Sequence, residues 1–205
     1  MMRPIHPGRI ISWAQLGSFS RRLPDLMSHI PRWILPVTVG IVIPLPSYAV
    51  QYLNVPAAQK LCFPDSDHFA VAHVKFTPAQ VQAIEAASGQ KQLLRGQEIW
   101  RALKNGQPQG YFIVDYVIGK HLVIDYAVAL SPDGVVRQIE ILNYRESYGG
   151  EIRNPDWRKQ FVGKTARSRF ALNDGIANIS GATLSSRHVT EGVRRVLATY
   201  EICLK

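Results

Sequence analysis

The chain is expected to fold as a single α+β domain, an antiparallel meander with packed helices, following a signal peptide. Three observations carry this expectation. Between Glu98 and Asn143 four strand-like runs follow one another across short turns. Such short connections make sequential strands antiparallel neighbours. Helical spacing of apolar residues appears behind Thr77-Pro78 and again near the C-terminus. The first 49 residues differ in character from the rest. The 205 residues, 46% of them hydrophobic, suit one ordinary domain plus a leader.

Within residues 1–49, Trp33 to Pro46 is the one strongly apolar stretch. A bilayer span takes roughly 20 apolar residues, and Pro36, Pro44 and Pro46 spoil a long helix. Arginines precede the stretch and Ser47-Tyr48-Ala49 follows it. The segment reads as a secretory signal peptide cut after Ala49. Met27 would give a compact leader, so it is expected to be the true start. Residues 1–49 contain five arginines and one aspartate, which leaves about +5 of the +9 formal charge to the remainder. No basic helix, RNA-binding signature or zinc motif accompanies that charge, so no nucleic-acid partner is expected.

Val50 to Asp67, with Pro56 and Pro64, reads as irregular. Thr77 caps a short helix with Pro78 at its first position; Val81 and Ile84 mark its apolar face and Gly89 stops it. Residues 50–95 form an N-terminal segment around this helix, and 96–205 the main domain. Strands are expected over Glu98–Lys104, Gly110–Ile118, Leu122–Leu130 and Val135–Asn143. The turns Asn105-Gly106-Gln107-Pro108 and Ser131-Pro132-Asp133-Gly134 separate the first pair and the last pair. Tyr144–Arg153 is a loop, and Asn154-Pro155-Asp156 opens a short helix that Gly163 ends. The last helix is expected to begin near Ser185 or Ser186 and run to Tyr200, burying Val189, Val193, Val196, Leu197 and Tyr200.

The chemistry is concentrated just before that helix, in Asn178-Ile179-Ser180-Gly181-Ala182-Thr183-Leu184-Ser185-Ser186. Unpaired N–H groups and the helix dipole make a helix N-terminus suited to a phosphate. On composition alone an ordinary helix cap explains the same residues. Cys62 and Cys203 belong to no Cys-x-x-Cys pattern, so dithiol, zinc and c-type haem chemistry lack their motifs. The two thiols either pair or stay free and buried; the sequence leaves both open.

Ser180-Gly181-Ala182-Thr183 followed by Leu184-Ser185-Ser186 resembles the flavinylation motif of the FMN-binding domain family. That family includes flavin subunits of the Rnf complex and of the sodium-pumping NADH:quinone reductase. A second block, Arg145 to Ile152 with Trp157, Gln160-Phe161 and Gly163-Lys164, is similar to its loop-and-helix segment. The resemblance covers about Gly96 to the C-terminus. It implies FMN held covalently on Thr183 by a phosphoester bond. Ser180, Gly181, Ala182, Leu184, Ser185 and Ser186 would flank the link, with Tyr148, Gly149, Gly150, Lys164 and His121 as further cofactor contacts.

Several of these have a plain alternative. His121 and Lys120 equally read as an exposed strand connection, Lys164 as a solvated helix-end charge, and Tyr148 as a loop aromatic. The chain departs from the family at Ala177, where an Asp is usual; Asp174 and Asn178 are the nearest polar substitutes. The second departure is Ser147-Tyr148 in place of Thr-Pro.

The resemblance further implies a flavin transferase that uses FAD and Mg²⁺ outside the cytoplasm. It also implies a membrane oxidoreductase or cytochrome as redox partner. The chain would then be a periplasmic electron carrier, associated with the inner membrane, rather than a stand-alone enzyme. The alternatives are a periplasmic flavin-dependent reductase and a non-redox scaffold that has lost flavin.

Overall fold

The computed structural model describes residues 50–91 and 96–205, with backbone alone for Val50 and Gln51. The signal-peptide reading of 1–49, and the Met27 start within it, lie outside the described residues. In chain order the elements are β1 (Val50–Gln51), α1 (Val55–Cys62), β2 (His68–Val71), α2 (Pro78–Ser88), β3 (Glu98–Lys104) and β4 (Gln107–Ile118). There follow β5 (Val123–Leu130), β6 (Val136–Tyr144), a 3₁₀ turn (Gly150–Arg153), α3 (Pro155–Lys159), β7 (Ala171–Leu172), β8 (Gly175–Ile176) and α4 (Thr183–Thr199). A π turn (Tyr200–Leu204) closes the chain.

The expected meander is present. β1 to β6 form one antiparallel sheet in the order β1-β6-β5-β4-β3-β2. β3 matches its sequence bounds, and β4 starts three residues early because only Asn105 and Gly106 are needed for the turn. Strand β2, which no sequence pattern announced, adds to the edge of β3.

Alternation along β5 separates two cores. Ile124, Tyr126, Val128 and Leu130 face Val189, Val193, Val196 and Leu197 of α4. Ala127 and Ala129 lie on the other face with Phe112, Leu142 and the α1 residues Ala58 and Cys62. Both faces are therefore covered, and β5 is buried along nearly its whole length.

Helix α1 corrects the irregular reading of 50–67. Asn54 caps it by accepting from the Ala57 N–H at 2.8 Å. Pro56 sits in the first turn, where a missing N–H costs nothing. Helix α2 has the expected Thr77 cap, completed by the Gln80 side chain into a capping box. Gly192 of α4 lies against the sheet: a Cβ there would come within 2.9 Å of Val117 and closer still to Tyr126 Oη.

Between α4 and the sheet lies a buried ion pair. Arg195 Nε and Nη2 donate to Asp115 Oδ2 at 3.0 and 2.9 Å, and both side chains are almost wholly buried. Tyr126 Oη and Gln97 Nε2 donate to the same oxygen, and Arg195 also donates to the Lys91 and Tyr116 carbonyls. Strand β4, helix α4 and the chain before β3 are thereby joined at one point. Cys62 and Cys203 are both free thiols. They belong to α1 and to the turn that extends α4, elements that cover opposite faces of the sheet.

Candidate functional site

Helix α4 begins at Thr183, two or three residues ahead of the expected start near Ser185 or Ser186. Its cap residue is Ala182, which has no acceptor to offer the first turn. Helices α1, α2 and α3 each receive a side-chain cap, from Asn54, Thr77 and Asn154. The positive end of α4 is thus left for some other acceptor. Gly181 turns the chain into the helix at φ +80°, a left-handed conformation that favours glycine.

Thr183 opens onto a groove of about 470 Å³. One wall is Gly181 to Ser185; the other comes from the β4–β5 hairpin end, Lys120 and His121, and from Glu146, Ser147 and Tyr148. Tyr148 is 85% exposed and Leu184 40%, so the groove has an apolar rim open to solvent.

Three sets of hydrogen bonds fix these walls. The Glu146 carboxylate accepts the backbone N–H groups of His121 at 2.5 Å and Leu122 at 2.8 Å, pinning the hairpin end. Burial works against its charge, but these donors, with the Lys120 N–H and the nearby His121, hold the carboxyl below its usual range. The Tyr144 hydroxyl donates to the Tyr148 carbonyl and lies 3.1 Å from Ser185 Oγ. Gly149, at φ +90°, fits beneath it, where a Cβ would meet Tyr144 Oη at 2.6 Å and Ala182 Cβ at 2.7 Å. Ala177, just before the motif, is clamped to α3: Trp157 Nε1 donates to its carbonyl at 2.8 Å, and its N–H donates to Gln160 Oε1 at 2.7 Å.

Asn178 comes next to Thr183. Its Nδ2 donates to Thr183 Oγ1 at 3.1 Å, and Ser186 Oγ donates to its Oδ1 at 3.2 Å. Ser186 also donates to the Ala182 carbonyl at 2.8 Å and is fully buried.

The structure therefore gathers Gly181, Ala182, Thr183, Leu184, Ser185, Tyr148 and His121 in one groove. Ser186 and Gly149 support it from behind. Ser180 and Gly150 do not line it, and neither does Lys164. The Lys164 ammonium lies 5.8 Å from the Phe170 ring centre, and its carbonyl accepts from Val136 N at the start of β6. His188 Nδ1 reaches the Ile118 carbonyl at 2.5 Å and so ties α4 to the hairpin end. Glu146 is the groove residue whose part the sequence did not reveal. Its partners are backbone N–H groups, which leave no trace in residue types.

Residues 119–198 match the model of the FMN-binding domain family. FMN is the cofactor that such a domain binds. The uncapped α4 terminus, the hydroxyl of Thr183 and the groove beside it suit a flavin phosphate and part of its ring.

Two curated proteins are similar. One is a subunit of the Na(+)-translocating ferredoxin:NAD(+) oxidoreductase complex of Acetobacterium woodii, 28% identical over 51% of this chain and 55% of that protein. The other is a subunit of the proton-translocating ferredoxin:NAD(+) oxidoreductase complex of Clostridium ljungdahlii, 28% identical over 51% of this chain and 60% of that one. The chain thus spans little more than half the length of these relatives. A crystal structure of Shewanella oneidensis NqrC aligns with a TM-score of 0.40 at 15% identity, covering 51% of this chain and 58% of that one.

Proposed function

We propose that this chain is an exported electron-transfer flavoprotein that carries FMN through a phosphoester bond on Thr183. The observation that carries the reading is the position of Thr183. It stands first in a helix without a side-chain cap, inside the family-matched stretch, and lines a groove rimmed by Tyr148 and Leu184. FMN exchanges one or two electrons and so couples hydride-type donors to one-electron acceptors. The chain's own residues hold it. The first turn of α4 receives the phosphate, Gly181 lets the backbone approach, and Tyr148 and His121 border the ring.

The two curated relatives are named as parts of ion-translocating oxidoreductase complexes. That likeness supports a membrane oxidoreductase as the partner here; the alternative of a cytochrome, and action on the periplasmic side of the membrane, rest on the motif resemblance and the leader reading. Attachment requires a flavin transferase with FAD and Mg²⁺, since the group hydrogen-bonded to the threonine side chain is an amide, which is no general base.

Co-expression with a flavin transferase, followed by a denaturing gel under ultraviolet light, tests the proposal. A fluorescent band that disappears in Thr183→Ala is the expected result. A dark wild-type band, with an intact mass equal to the bare polypeptide, overturns it.

A further inference from the structure

Asn178 is the residue in contact with the Thr183 hydroxyl, and the geometry around it is over-determined. As placed, the single hydrogen of Ser186 Oγ has three acceptors within reach: the Ala182 carbonyl at 2.8 Å, Asn178 Oδ1 at 3.2 Å and the Thr183 carbonyl at 3.4 Å. An amide turned end for end has nearly the same shape. Turned over, Asn178 would accept the Thr183 hydroxyl proton on Oδ1 and donate from Nδ2 to Ser186 Oγ. Ser186 would then donate only to helix carbonyls, chiefly that of Ala182 at 2.8 Å with that of Thr183 farther off at 3.4 Å. In that arrangement Ser186 no longer divides its hydrogen between Asn178 and the helix, and the chain of donors from Thr183 runs through Asn178 to a helix carbonyl.

We infer that Asn178 is a positioning residue for modification of Thr183: it draws the hydroxyl proton toward itself and leaves the oxygen lone pairs facing the groove. This rests on the flavin reading above. In the step concerned, Thr183 Oγ1 forms a bond to the flavin-side phosphorus of FAD. The diphosphate P–O bond breaks, AMP leaves with the electron pair, and the hydroxyl proton passes to the medium. Asn178 takes no part in bond making. It restricts the hydroxyl to one rotamer, and its own position is secured by Ser186 and by the clamped Ala177 beside it.

The placement explains how a chain with alanine at 177 keeps a polar group at the site. The Ala177 backbone is occupied by Trp157 and Gln160. The side chain that reaches Thr183 comes from one residue later.

The test is the initial rate of flavin incorporation, by intact mass, into purified full-length protein with a flavin transferase, FAD and Mg²⁺. Wild type, Asn178→Asp and Asn178→Ala are compared over a range of acceptor concentration. Asn178 is exposed, so the fold tolerates both changes. Losing one ordinary hydrogen bond corresponds to roughly five- to tenfold in rate. Asn178→Ala should therefore lower kcat by about that factor with KM for the acceptor protein unchanged, and Asn178→Asp, which still accepts the proton, should stay within about twofold of wild type. Equal rates in wild type and Asn178→Ala overturn the inference, as does an equal loss in both variants or a change in KM alone. A wild type that takes no flavin overturns the flavin reading itself, an outcome distinct from the other three.

Discussion

The indole Nε1–H of Trp157 and the carbonyl of Ala177 meet at 2.8 Å, and this bond ties the short helix α3 to the segment that delivers Thr183. With the Gln160 contact on the same residue, it sets where the motif enters α4.

Trp157→Phe keeps most of the packing against Phe161, whose ring lies 5.1 Å away, but removes the donor. It should cost about 1 kcal/mol of stability, or somewhat more if the Ala177 carbonyl stays dry. Urea unfolding measures the loss. The Gln160→Ala variant should lower stability by a similar amount, and an unchanged midpoint in both would show that the clamp is not a real constraint.

The Asp115–Arg195 pair should behave as a buried charge pair. Arg195→Met strands the Asp115 carboxylate in the core and is expected to cost about 3–5 kcal/mol. Replacing both partners with apolar residues should recover much of that loss. Thermal melts of the single and double variants give the comparison.

Glu146 predicts a pH dependence. Its folded pKa lies below the ordinary value, so its contribution is full above about pH 4.3. It is lost as the pH falls through the lower, folded value. Stability of the wild type should therefore fall more steeply below about pH 4.3 than that of Glu146→Gln. Parallel slopes for the two proteins in acid titrations of the unfolding midpoint would argue against the carboxylate's hold on the hairpin.

The two thiols should differ in reactivity. Burial, reinforced by the Glu140 carboxylate and opposed by Arg158 and Arg137, pushes Cys62 up to about 12. Cys203 is raised by burial too, yet it is only half-buried. Iodoacetamide at about pH 8, near the ordinary thiol value, should label Cys203 alone in the native protein and both residues in urea. Peptide mass mapping reads the difference, and native labelling of Cys62 would contradict its burial between α1 and the sheet.

Much of the sheet was legible because β3 to β6 are sequential, with turns whose residue types announce themselves. Asn105-Gly106 and Asp133-Gly134 are examples. Helix α1 was hidden because Pro56 looks like a breaker until its position in the first turn is known. Strand β2 was hidden because four residues of mixed character, His68 to Val71, have no period to detect.

At the site, the motif residues and Tyr148 could be picked from sequence, since their types match a recognisable pattern. Lys164 could be picked the same way, and the structure sets it elsewhere, with its backbone bonded to Val136. The role of Glu146 depends on a turn that brings three N–H groups together 24 or more residues away in sequence. No local pattern encodes that.

The chain around α3 has a second effect, on the margin of the sheet. β1 covers only two residues of β6. Further along, Val136 exchanges bonds with Gly163 and Lys164, and the Ile139 carbonyl accepts from Arg158. Backbone groups that would otherwise template a foreign strand are thereby spent within the molecule. Copies crowded together should resist stacking into fibrils along this border, and encounters with other proteins are steered away from strand swapping.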